Sequence, residues 1–343
     1  MKTKKIKVVF FQRKPTVGSF SVEYIFDDVR SRLSDEIISI KFVSRFLSIG
    51  FFKRVYNIFE AFFHQGDVNH VTGDVHFLTF LLPKKRTVLT ILDCVFMNRQ
   101  DGLAKKILKL FWLTIPIKKS TYITAISEAT KKEIVEYSLC NPDKVKVIPV
   151  AISSKFKPSS KEFSKSKPVL LHVGMAPNKN FPRLIEALSG LSVKLSVIGK
   201  LNEEYISLLK RYSIDYENSY NLTDDEIKQK YSECDILTFV STFEGFGMPI
   251  LEAQATGRVV VTSNISSMPE VAGEAAVLID PFDIDSIRSG IISVIENEKL
   301  RESLIQKGFE NVKRYDPDLI AKQYEELYLE LYEKSRENQC VAS

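Results

Sequence analysis

Short runs of β-branched and aromatic residues alternate with longer stretches whose apolar positions recur at helical spacing. In the first half, runs at 6–11, 37–42, 68–71, 87–92, 121–126 and 145–148 predict strands. Ser127 is placed to cap a helix through about residue 138, with Glu128 and Glu133 early in it. In the second half, strands are expected at 168–173, 193–198, 235–240, 258–262 and 275–279. Asn180 and Pro182 open a helix that stops near Gly190, Thr223 to Glu226 reads as a capping box, and Pro249 suits the start of a further helix. Residues 318–334 form a last helix, with Leu319, Tyr324, Leu327, Tyr328 and Leu331 on one face. Strands that read as continuous apolar runs between helices predict parallel sheets covered on both faces.

The alternation breaks once. Residues 153–168 are rich in Ser, Lys and Pro and lack any period, which predicts a linker between two domains. The 343-residue length suits two domains. Expected boundaries are 1–152 for an amino-terminal domain, 153–167 for the linker, 168–317 for a second domain, and 318–343 for a helix returning to the first. Two such domains would face each other across a central cleft, and ligands of doubly wound sheets lie at the carboxyl ends of the strands.

Charge adds an asymmetry. Residues 1–157 hold 27 Lys and Arg against 14 Asp and Glu, a net of +13, whereas the remainder carries −8. The basic half favours an anionic partner. Aromatic residues across 42–63, with Lys41, Arg45, Lys53 and Arg54, and the stretch 108–119 containing Trp112, suit an anionic membrane surface. No apolar stretch approaches the ~20 residues of a spanning helix. The amino-terminal run is too short for a signal peptide and is expected to be a strand, so a cytoplasmic location at the inner face of the plasma membrane is expected. Cys94, Cys140, Cys234 and Cys340 are neither paired by spacing nor near His, which predicts free thiols and no metal site. No nucleic-acid motif accompanies the basicity, so no nucleic-acid partner is expected.

The chemistry concentrates at 241–253, Ser-Thr-Phe-Glu-Gly-Phe-Gly-Met-Pro-Ile-Leu-Glu-Ala, between a strand and a helix. Gly245 and Gly247 allow close approach of backbone to ligand. The helix starting at Met248 and Pro249 directs N–H groups at the loop, a natural phosphate site. Glu244 lies on the loop and Glu252 is expected in the first helical turn. Two carboxylates beside a phosphate cradle suit the gripping of sugar or ribose hydroxyls. Gly174 ends a strand, and Lys179 is placed to neutralise a diphosphate leaving group.

This pattern resembles the retaining glycosyltransferases of family 4, which have the GT-B fold of two doubly wound Rossmann-like domains. The resemblance runs through Asn264 to Glu270, Asp280-Pro281, and Val173-Gly174 with Lys179-Asn180. It implies that Lys179 contacts the donor diphosphate and Glu244 the transferred sugar. It further implies that Phe246, Gly247 and Met248 meet sugar and phosphates, and that Glu252 holds the nucleotide ribose. Gly174, Asn180, Gly245 and Pro249 complete the implied donor site, and Gly18 would approach the donor phosphates. Retention of configuration and no need for a metal or cofactor are implied, the nucleotide sugar being a co-substrate. The acceptor would be a saccharide or a polyprenyl-diphosphate-linked saccharide, in synthesis of a bacterial surface polysaccharide such as lipopolysaccharide or capsule.

Three departures stand out. Leu92 sits where many relatives carry His, Met175 where they carry Arg, and Val150-Ala151 where they carry Asn-Gly. Asp74, His76 and Asp93 are therefore expected to line the acceptor side, with His76 replacing the missing His. Competing readings are a catalytically inactive sugar-nucleotide-binding subunit, motivated by Leu92 and Met175, and a sugar-nucleotide 2-epimerase. The epimerase shares the architecture and lacks the Glu-Gly-Phe-Gly loop.

Overall fold

The computed structural model describes residues 5–15, 21–98 and 102–340. The strands are β1 (Ile6–Gln12), β2 (Ile37–Val43), β3 (Val68–Val71), β4 (Thr87–Ile91), β5 (Tyr122–Ala125), β6 (Val145–Val147), β7 (Val169–Val173), β8 (Lys194–Ile198), β9 (Asp215–Ser219), β10 (Ile236–Phe239), β11 (Val259–Ser263) and β12 (Val277–Ile279). The helices are α1 (Ser21–Arg32), α2 (Phe51–Phe63), α3 (Gly102–Lys109), α4 (Ile115–Lys118), α5 (Glu128–Ser138), α6 (Phe181–Leu188), α7 (Glu203–Arg211), α8 (Asp224–Glu233), α9 (Met248–Thr256), α10 (Met268–Ala272), α11 (Ile284–Glu296), α12 (Glu298–Asn311) and α13 (Pro317–Cys340). The chain forms two compact units, Met1–Ala151 with Pro317–Ser343, and Ile152–Asp316.

The first unit has a six-stranded sheet in the order β2-β1-β3-β4-β5-β6, with every pairing parallel. Val9, Phe11, Val71 and Leu89 face one core, while Val8, Phe10, Val68 and Val88 face another that includes α1 and α13. Alternate residues of each strand thus serve opposite faces, which is why these strands read as unbroken apolar runs. Tyr324, Leu327, Tyr328 and Leu331 of α13 are buried in this unit, whereas Leu319 is half exposed and Ile320 takes the buried position. The helical phase expected from sequence was off by one residue at that end.

The second unit has the order β9-β8-β7-β10-β11-β12, also parallel throughout. Strand order reverses between β7 and β10, so the loops leaving these two neighbours diverge and open a crevice. Strand β9, Asp-Tyr-Glu-Asn-Ser, has no apolar run to announce it and lies at the sheet edge. Residues 153–168 contain no helix or strand, yet they are held on the second unit. The Arg258 guanidinium donates to the Ser159 carbonyl at 3.0 Å, and Lys161 pairs with the buried Asp235.

One polar network sits inside the first core. The buried His70 meets Tyr328 Oη at 2.7 Å through Nδ1 and Thr90 Oγ1 at 2.7 Å through Nε2. Burial pushes its pKa down to about 3, so it is neutral in the folded state. The unfolded chain binds a proton on this ring below about pH 6.5, whereas the folded chain does not. The stabilising difference is present above that pH and is lost as pH falls toward 3. Chemical unfolding monitored between pH 7 and 5 should show His70→Gln losing less stability on acidification than the wild type.

Candidate functional site

In the second unit, the loops after β7 and β10 touch at the switch point before they part, the Thr242 N–H donating to the Asn178 carbonyl at 2.8 Å. Gly174 leaves β7 with φ of 91°, and a Cβ there would lie 3.0 Å from Lys179 Cε. The lysine stem therefore lies across the glycine, which fixes where its ammonium goes. Lys179 Nζ is 2.6 Å from Glu244 Oε1 and 4.6 Å from the Phe239 ring centroid. Both members of the pair are mostly buried. A charge in that position is costly to leave unpaired.

Asn180, at φ 60°, precedes α6. Its buried amide donates to the Val240 carbonyl at 3.0 Å and the Pro281 carbonyl at 2.7 Å. The Asn180 side chain thus ties three loops together and is occupied within the protein. Its neighbour Asn178 donates to the Phe243 carbonyl at 2.9 Å and to Glu244 Oε1 at 3.2 Å.

The 241–248 turn is braced from the far side by two serines. Ser266 Oγ donates to the Glu244 carbonyl at 2.6 Å and accepts from its N–H at 3.2 Å. Ser267 Oγ contacts the carbonyls of Glu244 at 2.9 Å and Phe246 at 2.6 Å. Phe246 is buried edge-on against Tyr315. Gly247, at φ 117°, is the residue before α9, and Pro249 occupies the first turn. The helix runs nine residues with Gly245, Gly247 and Met248 at its positive end. Two further stretches of the resemblance therefore hold these loops in shape, 264–270 through Ser266 and Ser267 on the 241–248 turn and 280–281 through the Pro281 carbonyl on Asn180.

Glu252 is the fifth residue of α9, one turn further in than the sequence suggested. Its Oε2 accepts a hydrogen bond from Tyr231, a buried residue of α8. Burial raises its pKa to about 7, opposed by the Tyr231 hydrogen bond and the Lys179 charge. An acid raised by burial to about 7 within reach of the Lys179 charge is a marked feature of this site. Nothing in the sequence singled out Tyr231.

In the first unit, His76 opens a short 3-10 helix (His76–Phe80) and is buried. Its Nδ1 donates to the Trp112 carbonyl at 2.6 Å, which places the proton on that nitrogen. Burial lowers its pKa, while the Trp112 bond and the charges of Asp74 and Asp93 pull it back up. Asp74 is exposed and takes a hydrogen bond from Arg13 at 3.2 Å. Asp93 accepts the Val95 N–H at 3.0 Å. The three expected residues are thus within electrostatic reach of one another at the carboxyl ends of β3 and β4. Glu133 of α5 joins them. Burial and the Asp93 charge raise its pKa to about 7, and its Oε2 is buried without a hydrogen-bond partner. Sequence reasoning treated Glu133 only as a helix-start acid. Leu92, in place of the usual His, offers its carbonyl to Thr130 Oγ1 at 3.4 Å. Gly18 lies outside the described residues. Among the described residues, no group of three or more His, Cys, Asp or Glu side chains is placed to hold a metal ion.

Residues 153–311 match the family model for glycosyl transferases group 1. The matched segment is similar to that family. It coincides with the second unit, and both braced loops lie inside it. An O-antigen chain mannosyltransferase B from Escherichia coli is 27% identical over 216 residues, covering 56% of this chain and 56% of the relative. A serotype-specific mannosyltransferase from the same organism, WbdA, is 27% identical over 246 residues, which is 64% of this chain and 30% of that protein. The chain thus spans about half, or less, of the length of these curated relatives. A Campylobacter jejuni 4-alpha-N-acetylgalactosaminyltransferase, whose name specifies a diphospho-undecaprenol substrate, is 25% identical over 254 residues, 69% of this chain and 68% of that enzyme.

Among solved structures, a Rickettsia africae glycosyltransferase superposes with a TM-score of 0.76 at 18% identity, covering 95% and 98% of the two chains. Anabaena HepE in complex with UDP and glucose superposes with a TM-score of 0.76 at 16% identity, covering 94% and 99%. The group 1 segment and its partner unit thus have the two-sheet α/β architecture of GT-B glycosyltransferases.

Asn180→Ala removes two buried hydrogen bonds and strands two carbonyls. It should cost about 2 kcal/mol in chemical unfolding, while Asn178→Ala, whose bonds are less buried, should cost less.

Proposed function

We propose that the chain is a retaining, metal-independent hexosyltransferase. It moves a sugar from a nucleotide-diphosphate donor to a hydroxyl of a saccharide carried on a polyprenyl diphosphate, in synthesis of a bacterial surface polysaccharide. The observation that carries this reading is the Lys179–Glu244 pair set against the amino end of α9 at the β7/β10 switch point. A single ammonium and a helix terminus suit a diphosphate, and a carboxylate between them suits sugar hydroxyls. The names of the relatives support the substrate class, and HepE supports a UDP-type donor.

In the proposed reaction the anomeric C–O bond to the diphosphate breaks and a bond to the acceptor oxygen forms on the same face. The acceptor proton passes to the leaving diphosphate oxygen. Lys179 and the α9 terminus meet the charge that develops there. Glu244 neutralises Lys179 in the pair, and donor binding would exchange that contact for phosphate and sugar contacts. Glu252 would hold the nucleotide ribose, since ribose hydroxyls donate to an ionised carboxylate. The cluster of His76, Asp93 and Glu133 would take the acceptor.

The acceptor's lipid implies a membrane surface. Phe51, Phe52, Phe59, Phe62 and Phe63 of α2 are exposed. No helix among the described residues is long and apolar enough to cross a membrane. Peripheral contact with an anionic inner leaflet is the proposed mode.

Screening nucleotide sugars by thermal shift, mannose and glucose donors first, should reveal one that stabilises the protein by about 2.7 kcal/mol at a hundredfold excess over its dissociation constant. Lys179→Ala should then lower kcat by roughly 10²–10³-fold, and EDTA should leave the wild-type rate unchanged. No stabilisation by any nucleotide sugar would end this reading.

Glu252 supplies a second check. Its ionised form is the better ribose acceptor, so donor affinity should rise as pH increases through about 7. Glu252→Gln should flatten that dependence in a binding titration from pH 6 to 8.

A further inference from the structure

The first unit contains an apolar cavity of about 680 Å³, within the size range of ligand pockets. Its walls come from α2, the His76–Phe80 turn, and the helix that begins as α3. Phe51, Ile58, Phe77, Phe80, Phe111 and Trp112 are among the lining residues. Residues Leu110–Thr114 form a π-helical turn between α3 and α4. Such a turn adds a residue to the helix and re-aims side chains, often at functional sites. Here it carries Phe111 and Trp112.

The cavity is apolar inside and cationic in its surroundings. Arg54 lines it, with its guanidinium 4.5 Å from the Trp112 ring centroid. Lys53 shares α2 with it, and α3 carries Lys105, Lys106 and Lys109 without a single acid. Phe51, Phe52, Leu103 and Ile107 on the same helices are exposed. An occupant must therefore combine a hydrocarbon body with an anionic end, and it must arrive from an apolar phase.

Trp112 links the cavity to the acceptor cluster. Its ring lines the cavity while its carbonyl accepts from His76 Nδ1. The cavity thus shares a wall with the cluster of Asp74, His76 and Asp93, on the acceptor side of the proposed reaction. We propose that this cavity takes the isoprenoid chain of the phosphorylated lipid that carries the acceptor saccharide. The proposal rests on the reading of a lipid-linked acceptor given above. It adds a seat for the chain and a means of selecting the carrier from bulk phospholipid.

Trp112 is the one tryptophan of the sequence, so intrinsic fluorescence reports on the cavity directly. Farnesyl phosphate, titrated in detergent-free buffer against the full chain, should give a saturable blue shift that inorganic phosphate does not. Ile107→Glu places a charge on the exposed lip, and Ala104→Phe fills the groove. Each should weaken the response at least tenfold while leaving stabilisation by the nucleotide sugar intact. No shift, or a shift unchanged in a variant that keeps its donor stabilisation, overturns the cavity assignment. Equal binding of dodecyl phosphate would overturn the isoprenoid choice in favour of a bilayer acyl chain. Sedimentation with phosphatidylglycerol vesicles separates the two levels. Farnesyl phosphate binding without sedimentation upholds the cavity and removes the membrane-contact reading, whereas sedimentation without farnesyl phosphate binding does the reverse.

Discussion

The ion pair between Lys179 and Glu244 joins the two loops that diverge at the switch point of the second sheet, and the rest of that site is arranged to hold it. Gly174 leaves room for the lysine stem. Asn180 ties its loop to the ends of β10 and β12, and Ser266 and Ser267 hold the backbone that carries the glutamate. A pair this buried gains little net stability, because desolvation offsets most of its attraction. What it secures is position. A cation and a carboxylate are held beside a helix terminus, and on the proposed reading a donor would exchange their mutual contact for its own, leaving the charge in place for the reaction.

A similar tension between burial and charge shapes the other acids. Glu252 and Glu133 sit in different units, and burial raises both to about 7. Glu252 is hydrogen-bonded by Tyr231, whereas one oxygen of Glu133 has no partner. The Tyr231 bond fixes the Glu252 carboxyl, whereas no bond of that kind fixes this oxygen of Glu133.

Much of this was legible in the residues. Parallel strands covered on both faces announce themselves as apolar runs, so most were found. Strand β9 was not, because an edge strand with polar residues lacks that signature. The Phe-Glu-Gly-Phe-Gly-Met-Pro loop was readable because two glycines and a proline at a strand–helix junction leave few conformations. The roles of Tyr231 and Glu133 were not readable. A tyrosine or glutamate in a helix faces solvent or core according to phase, and only tertiary packing set that phase. The same one-residue uncertainty misplaced Leu319, which is exposed where Ile320 is buried.

Amide hydrogen exchange with and without a saturating nucleotide-diphosphate sugar tests the central claim most directly. Donor gripped at the switch point should slow exchange across 174–180 and 242–252, and leave β3 and the turn at 72–76 unchanged. Protection confined to the amino-terminal unit, with the 242–252 loop exchanging as before, would contradict it.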